Sequence, residues 1–235
     1  MAINMKNLRQ IMWKDDGVNG DTQRLEQTVW MLFMKLLDVL ENESIKYKML
    51  IVLALDSSAR RSEICALRWS DIDLDTRMVS ITKSLKVVEG VIDEKTTKIE
   101  SSIRIIKLSE STINLIKEYK KWQEAYKLVN KQRWISKDDR VFTSLNGDYM
   151  FPGTCDHILR KIVKKYNLDP ICFHELRHTC ASLLINSGVD PKTVSKRLDH
   201  SDTSITMEIY THAFEESKNA CADRFDEMMK KLEMA

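Results

Sequence analysis

Between residues 24 and 40 the apolar side chains Leu25, Val29, Leu32, Phe33, Leu36, Leu37 and Leu40 recur every third or fourth position. That spacing gathers them on one face of a helix, whereas a strand would scatter them over both sides. The same test predicts helices over 45–55, 60–67, 109–129, 154–166, 173–187, 191–198, 201–211 and 214–232. Little interrupts them, since the chain has six Gly and three Pro in 235 residues. Gly188-Val189-Asp190-Pro191 is a stop and a restart: glycine after one helix, Asp as the cap of the next, Pro at its first position. Alternation in MVSIT (78–82) and IRIIKL (103–108) predicts strands, and the polar 83–102 between them is either a third strand or a disordered loop. The expected class is mostly α with one small antiparallel β-sheet (α+β).

The length allows one large domain, or a domain with a small appendage. A net charge of +2 neither supports nor excludes a DNA partner, because the overall balance says nothing about where charges sit. The five cysteines (Cys65, Cys155, Cys172, Cys180, Cys221) are scattered, form no C-x-x-C pair, and fit a reducing compartment. The first residues, MAINMKNLRQ, carry charges where a signal peptide needs an apolar core. The most apolar run, MLIVLAL at 49–55, is too short to span a bilayer, so no membrane partner and a cytoplasmic location are expected.

The stretch FHELRHTC (173–180) is ambiguous. His174-Glu175-Leu176-Arg177-His178 satisfies H-E-x-x-H, the helical zinc-protease pattern, and also H-x-x-R-H, which would hold an anion. A zinc site needs a third protein ligand, yet position 184 is Leu and no Glu occurs between 176 and 207. At about 100° per residue, Arg177 falls about 60° from His174 and about 100° from His178, flanking the same face. A guanidinium there repels a dication and attracts a phosphate. A third reading is that the histidines are merely surface or capping residues.

If the helix grips a phosphate, further cations and a nucleophile should lie elsewhere. SSARRSEICALRWSDID (57–73), FHELRHTCASLLINSGVD (173–190) and VSKRLDHSDTSITMEIYTHA (194–213) resemble, in order and spacing, the three active-site blocks of tyrosine recombinases, above all phage and transposon integrases. The resemblance implies attack of a Tyr hydroxyl on a DNA phosphodiester through a 3′-phosphotyrosyl intermediate, with no metal and no nucleotide cofactor. It implies Arg60 and Arg177 as the guanidinium clamp on the non-bridging oxygens, with Arg61 a rival by proximity alone. Arg60 opens its predicted helix, where unpaired N–H groups also favour an anion. Tyr210 takes the nucleophile position, His174 that of the general base, and His200 a phosphate-bonding or assisting place. TTKIESSIR (96–104) resembles the K-T-x-x-S-x-R hairpin and points to Lys98 as the donor to the leaving 5′-oxygen, with Lys95 as the alternative. Glu63 and His178 would support these groups from behind. The partner implied is double-stranded DNA, bound by a homo-tetramer in which the 214–232 helix packs on a neighbour, although self-packing suits its apolar pattern equally.

The chain departs from the family pattern in three places. Ser57-Ser58 stands where Thr-Gly is usual, which restricts the backbone at a strain-tolerant position. Asp199 replaces the glycine of Leu-Gly-His; Asp tolerates left-handed geometry but brings a negative charge beside the phosphate site. Integrases also usually carry a DNA-clamping domain before the catalytic one. Here 1–38 is expected to be an N-terminal helical segment and 39–235 the catalytic domain. The D-x-Q-R-L-E-Q run and the W-M-L-F-x-K-x-x-D helix of that segment resemble type I restriction-system modification subunits. The alternative is an ordinary leading helix. The expected function is site-specific DNA recombination; the rivals are a catalytically impaired DNA-binding remnant and a type IB topoisomerase.

Overall fold

A computed structural model of the chain describes residues 21–88, 91–96, 103–135 and 138–199. In chain order these form α1 (Asp21–Leu40), α2 (Ile45–Ser57), α3 (Arg61–Ala66), a 3₁₀ turn (Trp69–Asp71) and the strands β1 (Ile72–Asp73), β2 (Met78–Ile81), β3 (Lys83–Val88), β4 (Val91–Thr96) and β5 (Arg104–Lys107). The helices α4 (Glu110–Val129), α5 (Pro152–Lys165), α6 (Phe173–Asn186) and α7 (Pro191–Leu198) follow. The class is the expected one, mostly helical with small antiparallel sheets.

The helix α2 is the hub. Met49, Leu50, Ile51, Leu53, Ala54 and Leu55 are all buried, so apolar contact surrounds it on nearly every side. Around it pack Ile113, Ile116 and Tyr119 of α4, Ile158, Leu159 and Ile162 of α5, and Phe173 and Leu176 of α6. Leu36 and Leu40 of α1 lie in the same core, and the helix runs unbroken through residue 38. A satellite cluster of Ala181, Val194 and Leu198, covered by Leu184, Ile185 and Val189, seats α7 on α6. The stop and restart between these two helices follows the residues that predict it. Gly188 takes φ +88°, and the Asp190 side chain accepts from the Thr193 backbone N–H ahead of Pro191.

The sheet differs from expectation in number. One antiparallel sheet runs β1-β2-β5, with Val79 opposite Ile106 and Ile81 opposite Arg104. Instead of a single extra strand or a loop, the stretch between β2 and β5 folds as a separate hairpin, β3-β4, from Lys83↔Thr96 to Val88↔Val91. Its apolar alternation is poor, with Leu85 buried but Val87, Val88 and Val91 exposed. Charge anchors it instead. Glu94 accepts from Arg68 (3.2 Å), pairs with Lys83 (3.3 Å), and accepts from the fully buried Arg140, whose guanidinium lies 3.7 Å from the Tyr149 ring centroid. Burial opposes the Glu94 charge, but the Arg140 and Lys83 bonds outweigh it and pull its pKa down to about 2.

Of the four described non-glycine residues with left-handed backbone (Ser58, Arg77, Asn167 and Asp199), two form corners after α2 and α7. Ser58, just after α2, has φ 53°, ψ 23°; Asp199, just after α7, has φ 54°, ψ 49°. These are the two positions where the chain departs from the family's glycines, so both corners are retained at a cost in backbone strain.

Candidate active site

The corner between α2 and α3, the first turns of α6, the end of α7 and the inner face of β5 meet at one place. Arg60 is the cap residue of α3, which begins at Arg61 rather than at Arg60. Its backbone N–H is not free for an anion, because it donates to Glu63 Oε2 at 2.8 Å. The guanidinium is more open, its side chain 40% exposed. Nη1 donates to Glu63 Oε1 and to Asp199 Oδ2, each at 2.9 Å, and Nη2 donates to the Asp199 carbonyl at 2.9 Å. Burial acts against the Arg60 charge, but the Asp199 bond and the Glu63 carboxylate prevail and raise its pKa.

Arg177 reaches the same place from α6 and is 2% exposed. Nη1 donates to the Ser58 carbonyl at 2.8 Å and Nη2 to the Leu198 carbonyl. One guanidinium therefore ties together the two left-handed corners. Nε has no hydrogen-bond partner among the described residues. Burial, then the like charges of Arg60 and Arg104, bring its pKa down to about 10, so it stays cationic at neutral pH.

Arg104 was not singled out from sequence. It points inward from β5, its side chain 8% exposed, and pairs with the 3%-exposed Glu63 at both nitrogens, Nη2 to Oε2 at 2.7 Å and Nη1 to Oε1 at 3.2 Å. Glu63 is thus held by Arg104 from behind while it holds Arg60 in front. Burial would raise its pKa, but the Arg104 bond and charge lower it. A signal for Arg104 did exist: in the alternation of RIIK it shares the inward face with Ile106, and an Arg on that face needs a carboxylate.

His174 and His178 stand edge to face with ring centroids 4.8 Å apart. Glu175, the base of the zinc-protease reading, does not accompany them. Its carboxylate turns back to accept from the Cys172 backbone N–H, closing a capping box at the start of α6. Among the described residues no cluster of three or more His, Cys, Asp or Glu has the shape of a metal site. Partial burial, then the neighbouring charges of His178, Arg177, Arg60 and Arg61, lower the His174 pKa; burial and Arg177 lower that of His178. Both imidazoles are therefore neutral at pH 7, and a neutral imidazole can accept a proton.

Arg60, Arg61, Arg160, His174 and Arg177 line a cleft of about 840 Å³. Arg61 pairs with Asp156 of α5, so it faces a different wall from Arg60. A basic cleft with a buried guanidinium, a second exposed one and a neutral imidazole suits a phosphodiester: the forks take the oxygens and the imidazole takes a proton. Lys98, His200 and Tyr210 lie outside the described residues. Lys95 lies in β4, paired with Ser84.

The sequence profile described as the phage integrase family matches residues 24–217. A tyrosine recombinase XerC-like protein of Caldanaerobacter subterraneus subsp. tengcongensis is 30% identical over 195 residues, covering 78% of this chain and 50% of that protein. The ICEBs1 integrase of Bacillus subtilis is 27% identical, covering 84% of this chain and 53% of its own length. The chain thus spans about half the length of these curated relatives. Among solved structures, the Tn1549 transposon integrase in complex with circular intermediate DNA superposes with a TM-score of 0.70 at 24% identity, over 81% of this chain and 64% of that one. XerA recombinase superposes with a TM-score of 0.60 at 21% identity, over 76% and 57%. The fold is that of the tyrosine recombinase catalytic domain, and the chain belongs to the phage integrase family.

Proposed function

We propose that this chain is the catalytic domain of a site-specific DNA recombinase, which breaks and rejoins strands through a 3′-phosphotyrosyl intermediate. The supporting observation is the convergence of Arg60, Arg177 and His174 on one cleft from segments far apart in sequence. Arg60 and Arg177 would clamp the non-bridging oxygens, and His174 would draw the proton from Tyr210 as it attacks phosphorus. His200 would bond the phosphate, and Lys98 would protonate the departing 5′-oxygen. Glu63 and His178 would hold the reacting groups in place. The bond energy stays in the phosphotyrosyl ester, so neither metal nor nucleotide takes part in this scheme.

The substrate proposed is double-stranded DNA, and the assembly a homo-tetramer joined through the 214–232 helix. Residues 39–235 form the catalytic domain in this reading. The family match begins earlier, at residue 24, and Leu36 and Leu40 sit in the core, which supports extending that domain to include α1 as its leading helix.

The test is a suicide duplex carrying a candidate recombination site, nicked beside the scissile phosphate and incubated in chelator. Covalent protein–DNA adduct is expected with the parent chain and absent with Tyr210→Phe and with Arg177→Ala. Adduct unaffected by Tyr210→Phe overturns the assignment. Relaxation of supercoiled plasmid without sequence preference points to a topoisomerase, and binding without adduct points to a DNA-binding remnant.

A further inference from the structure

Asp199 lies where an anion on Arg60 would lie. Its carboxylate Oδ2 is 2.9 Å from Arg60 Nη1 and 3.9 Å from Arg104 Nη1, so it sits between two guanidiniums. The Asp199 carbonyl takes the other end of the Arg60 fork at 2.9 Å. One residue thus takes an N–H at each of the two Nη atoms of the Arg60 fork. The Asp199 carboxylate is 16% exposed, which places it inside the site rather than at its rim.

We propose that the Asp199 side chain is a built-in competitor for the phosphate, holding Arg60 closed until a DNA phosphodiester displaces it. The proposal rests on reading Arg60 as a phosphate clamp. A carboxylate and a phosphodiester each carry one negative charge, so the exchange leaves the charge at the site unchanged. What differs is the tether. Asp199 belongs to the chain and stays at high effective concentration, so a free anion must outcompete it. Displacement needs only rotation of a short side chain away from Nη1; the contact through the Asp199 carbonyl can stay. Glu63 does not compete in the same way, since Arg104 holds both its oxygens. The device is carried by the side-chain charge and not by the turn, because Asn and Gly both accept the φ of 54° that Asp199 adopts.

The test uses the full chain and inorganic phosphate as the probe, with binding followed by calorimetry and folding checked by circular dichroism. Asp199→Asn keeps the turn and the side-chain shape but removes the charge, and Asp199→Gly keeps the turn and removes the side chain. Both are expected to bind phosphate about tenfold more tightly than the parent. Adding Arg60→Ala to either should abolish the gain. A gain with Gly but not with Asn would assign the effect to relieved backbone strain and overturn the proposal. If phosphate binding by the parent depends on Arg60 yet neither variant improves it, the competitor role fails and the clamp stands. If binding ignores Arg60→Ala in every background, the clamp itself fails, and the proposal with it.

Discussion

Arg104 and Glu63 form a two-point ion pair in the interior, bridging the inner face of β5 and the first turn of α3, 41 residues apart in sequence. Glu63 in turn fixes Arg60, so the orientation of the exposed guanidinium depends on a buried one that never reaches the cleft surface. Removing Arg104 would leave the buried Glu63 carboxylate with only the more exposed Arg60 to balance it. Arg104→Met is expected to lower the unfolding free energy by about 3–5 kcal/mol, read from urea denaturation. Replacing both residues, with Glu63→Gln added, should restore a large part of that loss. If Arg104→Met alone is within experimental error of the parent, the pair does not hold the site together.

Ser58 stores strain that a glycine would release. Its φ of 53° is left-handed, a region that costs a non-glycine residue about 1–2 kcal/mol. Glycine also gains freedom in the unfolded chain, which offsets part of the relief. Ser58→Gly should therefore stabilise the protein by about 0.5–1 kcal/mol, whereas Ser58→Ala, equally strained, should not stabilise it. The measurement is the shift in denaturant midpoint at constant slope. A stabilising Ser58→Ala would count against this account.

His174 should set the acid limb of the pH–rate profile. Partial burial and the surrounding cations push its pKa below the usual 6.5, so the neutral form predominates at pH 6.5 and above. The midpoint of the acid limb of single-turnover strand cleavage is therefore expected below pH 6.5. His174→Gln should remove that limb. The stability effect has the same direction. The unfolded chain takes the proton more readily than the folded one, so protonation of His174 weakens the fold as pH drops below the unperturbed value. A limb at or above pH 6.5 would assign the titration to another group.

The helices α1 to α7 were legible because their order is local; those expected over 201–211 and 214–232 lie outside the described residues. Periods of three and four, Asp190 as a cap, and Gly188 before Pro191 each act within one or two turns, and the observed bounds follow them closely. The β3-β4 hairpin was not legible for the opposite reason. Its side chains alternate poorly, and what holds it is Glu94, which meets Arg68 across 26 residues and Arg140 across 46. The site divides in the same way. His174, Arg177 and Arg60 were found because three short blocks carry a recognisable order. Glu63 was noted as a supporting carboxylate, but its stronger partner, Arg104, appeared only as the last letter of the TTKIESSIR stretch. Asp199 was noted as a charge beside the phosphate site; that it engages Arg60 at both ends of the fork follows from three-dimensional packing alone.

The position of Arg177 bears on when this chain becomes competent. Its two carbonyl partners, Ser58 and Leu198, are 119 and 21 residues away along the chain. A nascent chain that has emerged only as far as α5 possesses Arg60 but has nothing to pin the α2–α3 corner against. The cleft closes only when α6 and α7 dock, after the segments that carry Arg60 and Glu63 have emerged. A chain that stops before α6 lacks the guanidinium on which both corners depend.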